Sequence, residues 1–385
     1  MLIKNGNLFT MEKEGTFVGD LLLENGKIKK IGKDLSAPDA KVIDATGKNV
    51  YPGLVEAHCH MGLHEAIVRY EGNDTNEATD PITPQLRAID GIYPGDAAIP
   101  VACAGGVTTV CAGPGSANVL GGTFFAYKTY GTAIDKMVIK EDVAMKAAFG
   151  ENPKFCYQNS KIQTRMMTAA LLREILFKTR EYVNKKEAAK DDISKLPAYD
   201  MKLEAMIPVL KGIMPLKAHA HRSDDILTVI RIAKEFNLKV TLDHCTDGHL
   251  IADEVKASGF PAIVGPSMTS KSKYELRFRT FETPGILNRA GVKIAITTDS
   301  PVLPQENLPL CAGLAVKYGL DHQEALKAIT INPAEIIGVS DRVGSLKVGK
   351  DGDVIITDGD ILLSSTFVLC TIIDGSIVYD RQEAC

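Results

Sequence analysis

The chain has 385 residues, 45% of them hydrophobic and 24% charged, with a formal net charge of -4. This is the balance of an ordinary globular protein, long enough for a barrel of about 250 residues plus a smaller companion. It offers no long basic tract for nucleic acid, and no apolar run near the roughly 20 residues that span a bilayer.

The opening "MLIKNGNLFTMEKEGTF" lacks the charged-then-apolar layout of a secretory leader, so the expected compartment is cytoplasmic. Short strand-like runs follow, "GDLLLENGKIKKIG" and "KVIDATGKNVYPG", broken by Asn-Gly and Thr-Gly turns. The last forty residues repeat that pattern in "VGSLKVGKDGDVIITDG" and "TIIDGSIVYD". The two ends are therefore expected to pair into one small β-sandwich, residues 1–52 with 345–385, around a larger unit at 53–344.

That larger unit alternates apolar strands with helix-like stretches, the sequence form of a parallel α/β fold. Eight strands are predicted: "LVEAH" from 54, "VTTVC" from 107, a weakly marked one at "IDKMVI" from 134, "AMKAAF" from 144, "MPLKAHA" from 214, "KVTLDHC" from 239, "PAIVG" from 261 and "VKIAITTD" from 292. Eight such units predict a (β/α)8 barrel, although the pattern alone also permits an open sheet. "GPGSANVLGG" at 113 to 122 lacks the G-K-[ST] ending of a phosphate loop and reads as a tight turn after the second strand.

The stretch from Gly150 to Gly212 exceeds a normal crossover. Its "TAALLREILFKTREYV" puts Leu171, Leu172, Ile175 and Leu176 on one helical face, which suits a solvated helical insertion, with a lid or oligomer contact as the other reading. Further on, Asp321 is the predicted N-cap of a helix with Glu324 completing a capping box, which leaves His322 as a helix-start surface residue. "NPAEIIG" predicts a helix starting at Asn332 and Pro333 and stopping at Gly338.

Eight cysteines (59, 103, 111, 156, 245, 311, 370 and 385) are scattered without a C-x-x-C pair, so they read as small buried hydrophobes and not as a thiolate zinc site. Histidine is the informative type, because three of eight fall in "LVEAHCHMGLHE" at 54 to 65. Alternation on a strand turns Glu56, His58 and His60 to one face and Ala57 and Cys59 to the other. Two imidazoles at the C-terminal mouth of a barrel strand can chelate one metal ion. A lone H-x-H is weak, but three further predicted strands also end on a metal-competent residue: His219, His244 and Asp299.

With "YPGLVEAHCH", "AGGVTTV" at 104 to 110, the strand-end His219 and His244, "TTDSP" at 297 to 301, "NPAEIIG" and "VGSLKVGKDGDVII", the chain resembles the amidohydrolase superfamily over nearly its full length, nearest its imidazolonepropionase-like and metal-dependent dipeptidase branches. The resemblance implies a metal-bearing (β/α)8 barrel flanked by a small β-sandwich. It implies His58, His60 and Asp299 as metal ligands, His219 as a further ligand, and His244 as a ligand or a hydrogen-bond partner of water or substrate. Asp299 would also carry a proton to the leaving nitrogen, while a divalent ion acidifies the attacking water. Zinc suits a histidine and carboxylate site, one or two ions per chain, and manganese or iron fit the same ligand types.

Lys146 sits inside a predicted strand, where an ammonium is costly unless neutral, paired or modified. In binuclear members of the superfamily a lysine near the end of the fourth strand becomes a carbamate bridging two ions, a role the resemblance opens for Lys146. A salt-bridged lysine is the alternative, with Glu151 as the other bridging carboxylate. Glu56 and Lys217 share the inward parity of alternate strands and predict an interior ion pair.

Loops after the strands nominate His64 and the 73–90 segment, Arg165, His221 and Arg222, and Lys271, Lys273 and Arg277 as the substrate rim. Their basic character suits a small molecule bearing a carboxylate. After the fifth strand the imidazolonepropionase pattern "HADE" is replaced by His219, Ala220, His221 and Arg222, which counts against that substrate. Hydrolysis of an amide, cyclic amide or acylated amino acid is the expected function. An aminohydrolase or imidazolonepropionase is the alternative, and a metal-free structural homologue the remote one. No nucleic-acid or membrane partner is expected, and homo-oligomerisation is left open.

Overall fold

The backbone of both termini is organised by tight turns. Asn25 and Gly26 (φ 51° and 74°) close the hairpin between β2 (Thr16–Glu24) and β3 (Lys27–Gly32), the paired positive angles that a two-residue hairpin requires. The structure, a computed structural model, describes residues 1–66, 70–190 and 192–382; Cys385 lies outside that set. β1 (Leu2–Phe9), β4 (Val42–Asp44) and β5 (Asn49–Pro52) complete the N-terminal strands. β5 then pairs antiparallel with β14 (Val354–Thr357), Val354 opposite Pro52 and Thr357 opposite Asn49. β15 (Val368–Ile373) and β16 (Ser376–Asp380) extend the same sheet, so both ends of the chain share one eight-stranded sheet over Ile3, Leu8, Leu21, Ile28, Val354 and Ile372.

The second sheet runs in chain order from β6 (Leu54–Cys59) through β7 (Val107–Ala112), β8 (Leu120–Lys128), β9 (Val138–Ala148), β10 (Leu216–Ala220), β11 (Val240–His244) and β12 (Ala262–Val264) to β13 (Ile294–Ile296). Across the last gap, Thr297 Oγ1 donates to His58 O and His60 N to Ser300 O, each at 2.7 Å, so the barrel is nearly closed.

One wall departs from the expected repeat. β8 runs antiparallel to both β7 and β9. The third strand is therefore Leu120–Lys128, and "IDKMVI" instead supplies a one-turn helix, Ile134–Met137, and the start of a long β9. Every residue of β8 is buried, which explains the unbroken apolar run "FFAY".

Strict alternation also fails in β6. The β6–β7 register shifts between Glu56 and Cys59. Val55 and Ala57 consequently join the cluster around Phe124 and Cys111, His58 also faces inward, and Glu56 turns to the β13 seam. There Glu56 Oε2 accepts from Thr298 N and from Gln305 Nε2, both at 2.9 Å. The expected Glu56–Lys217 pair is thus replaced: Lys217 Nζ lies 3.0 Å from Asp243 Oδ2, and the Glu56 carboxyl, raised by burial, is met by neutral donors.

The 150–212 insertion is helical, with Glu151–Tyr157, Arg165–Ala189 and Met201–Leu210. Leu172, Ile175 and Leu176 are buried as the helical face predicts. Asp321 accepts from Gln323 N and Glu324 N, but Glu324 turns to Lys327 and Asn288, so the cap lacks its reciprocal half. The following helix begins at Ile331, one residue before the predicted start, and Asn332 Nδ2 donates to Ile294 O instead of capping it.

Lys128, at the end of β8, joins the barrel to the terminal sheet. Its Nζ lies 2.8 Å from Asp351 Oδ2 and 2.5 Å from Asp353 Oδ2, with Lys27 and Arg342 also on Asp351. Removing one member of such a buried group leaves uncompensated carboxylates. Lys128→Met is expected to cost about 3–5 kcal/mol in urea unfolding; a loss under about 1 kcal/mol, the range of exposed pairs, would mean the network is dispensable.

Candidate metal centre

Four imidazoles converge at the mouth of the barrel. His58 sits on β6, His60 just past its end, His219 on β10 and His244 at the end of β11. The rings of His58 and His244 lie 5.0 Å apart, and those of His219 and His244 4.4 Å apart. His219 faces inward beside Asp243 in the parallel register, and Lys146 lies opposite Lys217. By that alternation His244 would point outward; its left-handed backbone (φ 68°) brings it in, and Asp299 (φ 54°) enters from beyond β13 the same way. Such conformations cost a non-glycine residue roughly 1–3 kcal/mol and persist only where surrounding structure enforces them.

Each ring is oriented through Nδ1. His58 Nδ1 meets Asp243 Oδ2 at 2.5 Å, His60 Nδ1 meets Gly113 O at 2.7 Å, His244 Nδ1 meets Gly265 O at 2.7 Å and His219 Nδ1 meets Ser116 Oγ at 2.8 Å. The carbonyl and carboxylate partners accept only, so those rings carry the proton on Nδ1 and, when neutral, present an Nε2 lone pair to the centre. Burial, with the nearby Lys146 ammonium, holds the His58 imidazole well below its ordinary pKa. Burial and His244 do the same for His219.

Asp299 Oδ1 lies 3.3 Å from His60 Nε2 and 3.5 Å from His58 Nε2. Burial alone would raise this carboxyl, but His244, His60 and His58 together hold it well below the usual carboxylate range. Among the described residues, Asp299 Oδ1 and the Nε2 atoms of His219 and His244 are buried without a hydrogen-bond partner. Ligands about 2.1 Å from a tetrahedral ion stand about 3.4 Å from one another, close to the His–Asp299 separations. Neutral imidazoles, an ionised carboxylate and orphaned buried donor atoms together fit a divalent metal ion.

Lys146 is fully buried on β9, its Nζ 3.4 Å from His58 Nε2 and 5.5 Å from the Phe124 ring centre. Burial lowers its amine to about 8, with Asp243 and Asp299 opposing. Glu151 lies elsewhere, its Oε2 accepting from Glu275 N at 3.0 Å. His221 is buried beside the centre, 4.6 Å from His219 ring to ring, with Nδ1 2.7 Å from Thr246 Oγ1. The rim arginines are largely committed: Arg165 Nε to Asp225 at 2.9 Å, and Arg222 to both oxygens of Asp224. Lys271 donates to Arg277 O, and the Arg277 guanidinium covers Tyr274 and Phe278. His64 is half-buried with its N–H on His60 O, near a 710 Å³ cavity lined by Asn73, Asn76 and other residues of the 70–91 loop.

Sequence reasoning missed Asp243, Ser116 and Glu275. Asp243 was within reach, because it shares the inward face of β11 with Thr241; Ser116 and Glu275 come from loops, whose geometry no periodicity encodes.

The profile of the amidohydrolase family matches residues 49–378. The chain belongs to that family. An amidohydrolase from Thermotoga maritima MSB8 is similar in structure with a TM-score of 0.95, at 41% identity over 99% of this chain and 100% of that one. The amidohydrolase tasK of Hapsidospora irregularis is 29% identical over 94% of this chain, which spans only 40% of that protein's length. An imidazolonepropionase from Thermoplasma volcanium is 26% identical over 94% of this chain and 91% of its own. Family membership and these hydrolase relatives support an enzyme that hydrolyses carbon–nitrogen bonds. Among the described residues no helix is long and apolar enough to cross a membrane.

Gly265 aims His244. A Cβ there would stand 2.4 Å from Thr297 O, at a φ of 134° that side chains avoid. Gly265→Ala is expected to lower the melting temperature and shift the His244 imidazole resonances in NMR; unchanged resonances would mean that the Gly265 carbonyl does not orient the ring.

Proposed function

We propose that this chain is a metal-dependent hydrolase that cleaves a carbon–nitrogen bond in an amide, cyclic amide or acylated amino acid, dipeptide-like substrates included. The observation that carries the reading is the buried Asp299 Oδ1, ionised and without a hydrogen bond, set between the Nε2 atoms of His58 and His60. His58, His60 and Asp299 would hold one divalent ion, most simply zinc, and His219 would serve a second. When bound, such an ion polarises the scissile carbonyl and acidifies water.

The protein's own groups do the rest. Asp299, through the carboxylate oxygen not turned to the ion, would accept the proton of the attacking water and deliver it to the leaving nitrogen. The Nε2 of His244, with no competing partner, would join the ion or meet the substrate carbonyl. Phe124 closes the floor against His58, which keeps the relay dry. Only His60 and Asp299 retain slight side-chain exposure, 11% and 13%, so the scissile bond arrives over them.

Lys146 is the residue we assign to the bridge between two ions. An amine near 8 is in part neutral at physiological pH, the form that adds carbon dioxide, and Glu151 is already engaged by Glu275. His64 and Lys273 are the rim groups left to meet a substrate carboxylate, whereas Arg165 and Arg222 shape the rim through their ion pairs.

Asp299→Asn is expected to lower kcat by about 10²–10⁴-fold on a panel of N-acyl amino acids, dipeptides and cyclic amides. Chelation of the wild type should abolish the same activity and zinc restore it; activity that survives both treatments would sink the reading. Protein equilibrated with ¹³C-bicarbonate should show a carbamate resonance by ¹³C NMR that Lys146→Met lacks, and no such resonance would make Lys146 a purely structural ammonium.

A further inference from the structure

A second donor cluster stands beside the relay and takes no part in it. The ligand atoms of His219, His221 and Glu275 all lie within 4.8 Å of one another, and all three residues are buried. Glu275 comes from the loop after β12, where a short turn, Tyr274–Leu276, presents it.

Its carboxylate is aimed by a reciprocal clamp. Glu275 Oε2 accepts from Glu151 N at 2.8 Å, while Glu275 N donates to Glu151 Oε2 at 3.0 Å. The other oxygen, Oε1, is turned to the histidines and has no hydrogen-bond partner among the described residues; His219 Nε2 is in the same position. His221 Nε2 lies 3.8 Å from Glu275 Oε1, beyond a hydrogen bond but near the roughly 3.4 Å edge of a tetrahedral zinc site. Lys273 Nζ, at 3.9 Å, is the only ammonium in ion-pair range of that oxygen among the described residues, and it is partly exposed. A fully buried carboxylate oxygen with no donor is costly, and a cation shared with two imidazoles removes that cost.

We infer that His219 Nε2, His221 Nε2 and Glu275 Oε1 hold a divalent cation of their own beside the His58, His60 and Asp299 centre. The inference rests on the metal-dependent reading above and deepens it, because it gives the second ion a carboxylate ligand from the β12 loop. It also gives that ion a mechanical role. Glu151 opens the helical insertion, so the clamp would make order in both the 151–157 helix and the 268–282 loop depend on the ion.

The test uses the full chain, stripped with a chelator and titrated with Zn²⁺ or Co²⁺ alone. Metal per chain is read by mass spectrometry, cobalt coordination by visible absorption, and loop order by hydrogen exchange. Wild type should take up two ions. Glu275→Gln and His221→Asn should each keep the first and lose the second or weaken it by at least about 100-fold, with faster exchange at 268–282, while His60→Asn should weaken the first. If Glu275→Gln does not fold, His221→Asn carries the test. Two ions bound with unchanged affinity in both variants would overturn the inference and leave Lys273 as the neutralising partner of Glu275. So would a wild type that binds one ion, lost only in His60→Asn, with the proposed function intact. A wild type that binds none would overturn both.

Discussion

Asp243 has no contact with solvent and serves three partners, His58 at 2.5 Å, Thr241 Oγ1 at 2.7 Å and Lys217 at 3.0 Å. Burial alone would drive this carboxyl up, yet Lys217 and His58 hold it far below its ordinary range. Everything at the mouth depends on that settled charge. It fixes the proton of His58 on Nδ1, leaves Nε2 free, and offsets the Lys217 ammonium in a cavity that also contains Lys146. A neutral residue at 243 would leave Lys217 without its ion-pair partner and His58 without a fixed tautomer. The interior of this barrel is therefore an electrostatic platform as much as a packed core.

The same logic places the donors in layers. Deep in the barrel, Lys217, Asp243 and His58 balance charge; above them, carbonyls of Gly113 and Gly265 hold His60 and His244 by acceptors that need close backbone approach. The outermost layer sets Glu275, from the loop after β12, against Glu151, at the start of a helix, each carboxylate accepting from the other's backbone N–H. Loops are in general the more mobile and variable part of a barrel, so the strand-borne inner layers are the natural frame and the loop-borne rim the natural place for variation.

Much of this was legible in the sequence because strands and turns follow simple periods. The Asn25–Gly26 turn, the terminal sheet, the strands that carry His219 and His244, and the helix face around Leu172 all follow from residue type and spacing. What failed did so for local reasons. The reversed β8 hides in an apolar run that looks the same in either direction, and its Gly121–Gly122 start reads as loop. Glu56 was turned by a register shift that no alternation rule anticipates. His244 ends β11 as read, whereas Asp299 lies beyond the end of β13 at Ile296, and the inward aim of both comes from left-handed backbone rather than from parity.

The pairing of β5 with β14 has a consequence for the order of events in synthesis. Asn49 to Pro52 leave the ribosome some three hundred residues before Val354 to Thr357 can answer them. Until then the N-terminal strands lack the partner that shields Ile3, Leu8 and Val50. Closing so distant a contact is slow by its chain entropy, so the barrel is expected to organise first, with the terminal sheet as its last seal. Until that seal forms, the unpaired edge of β5 is a template on which another chain could pair.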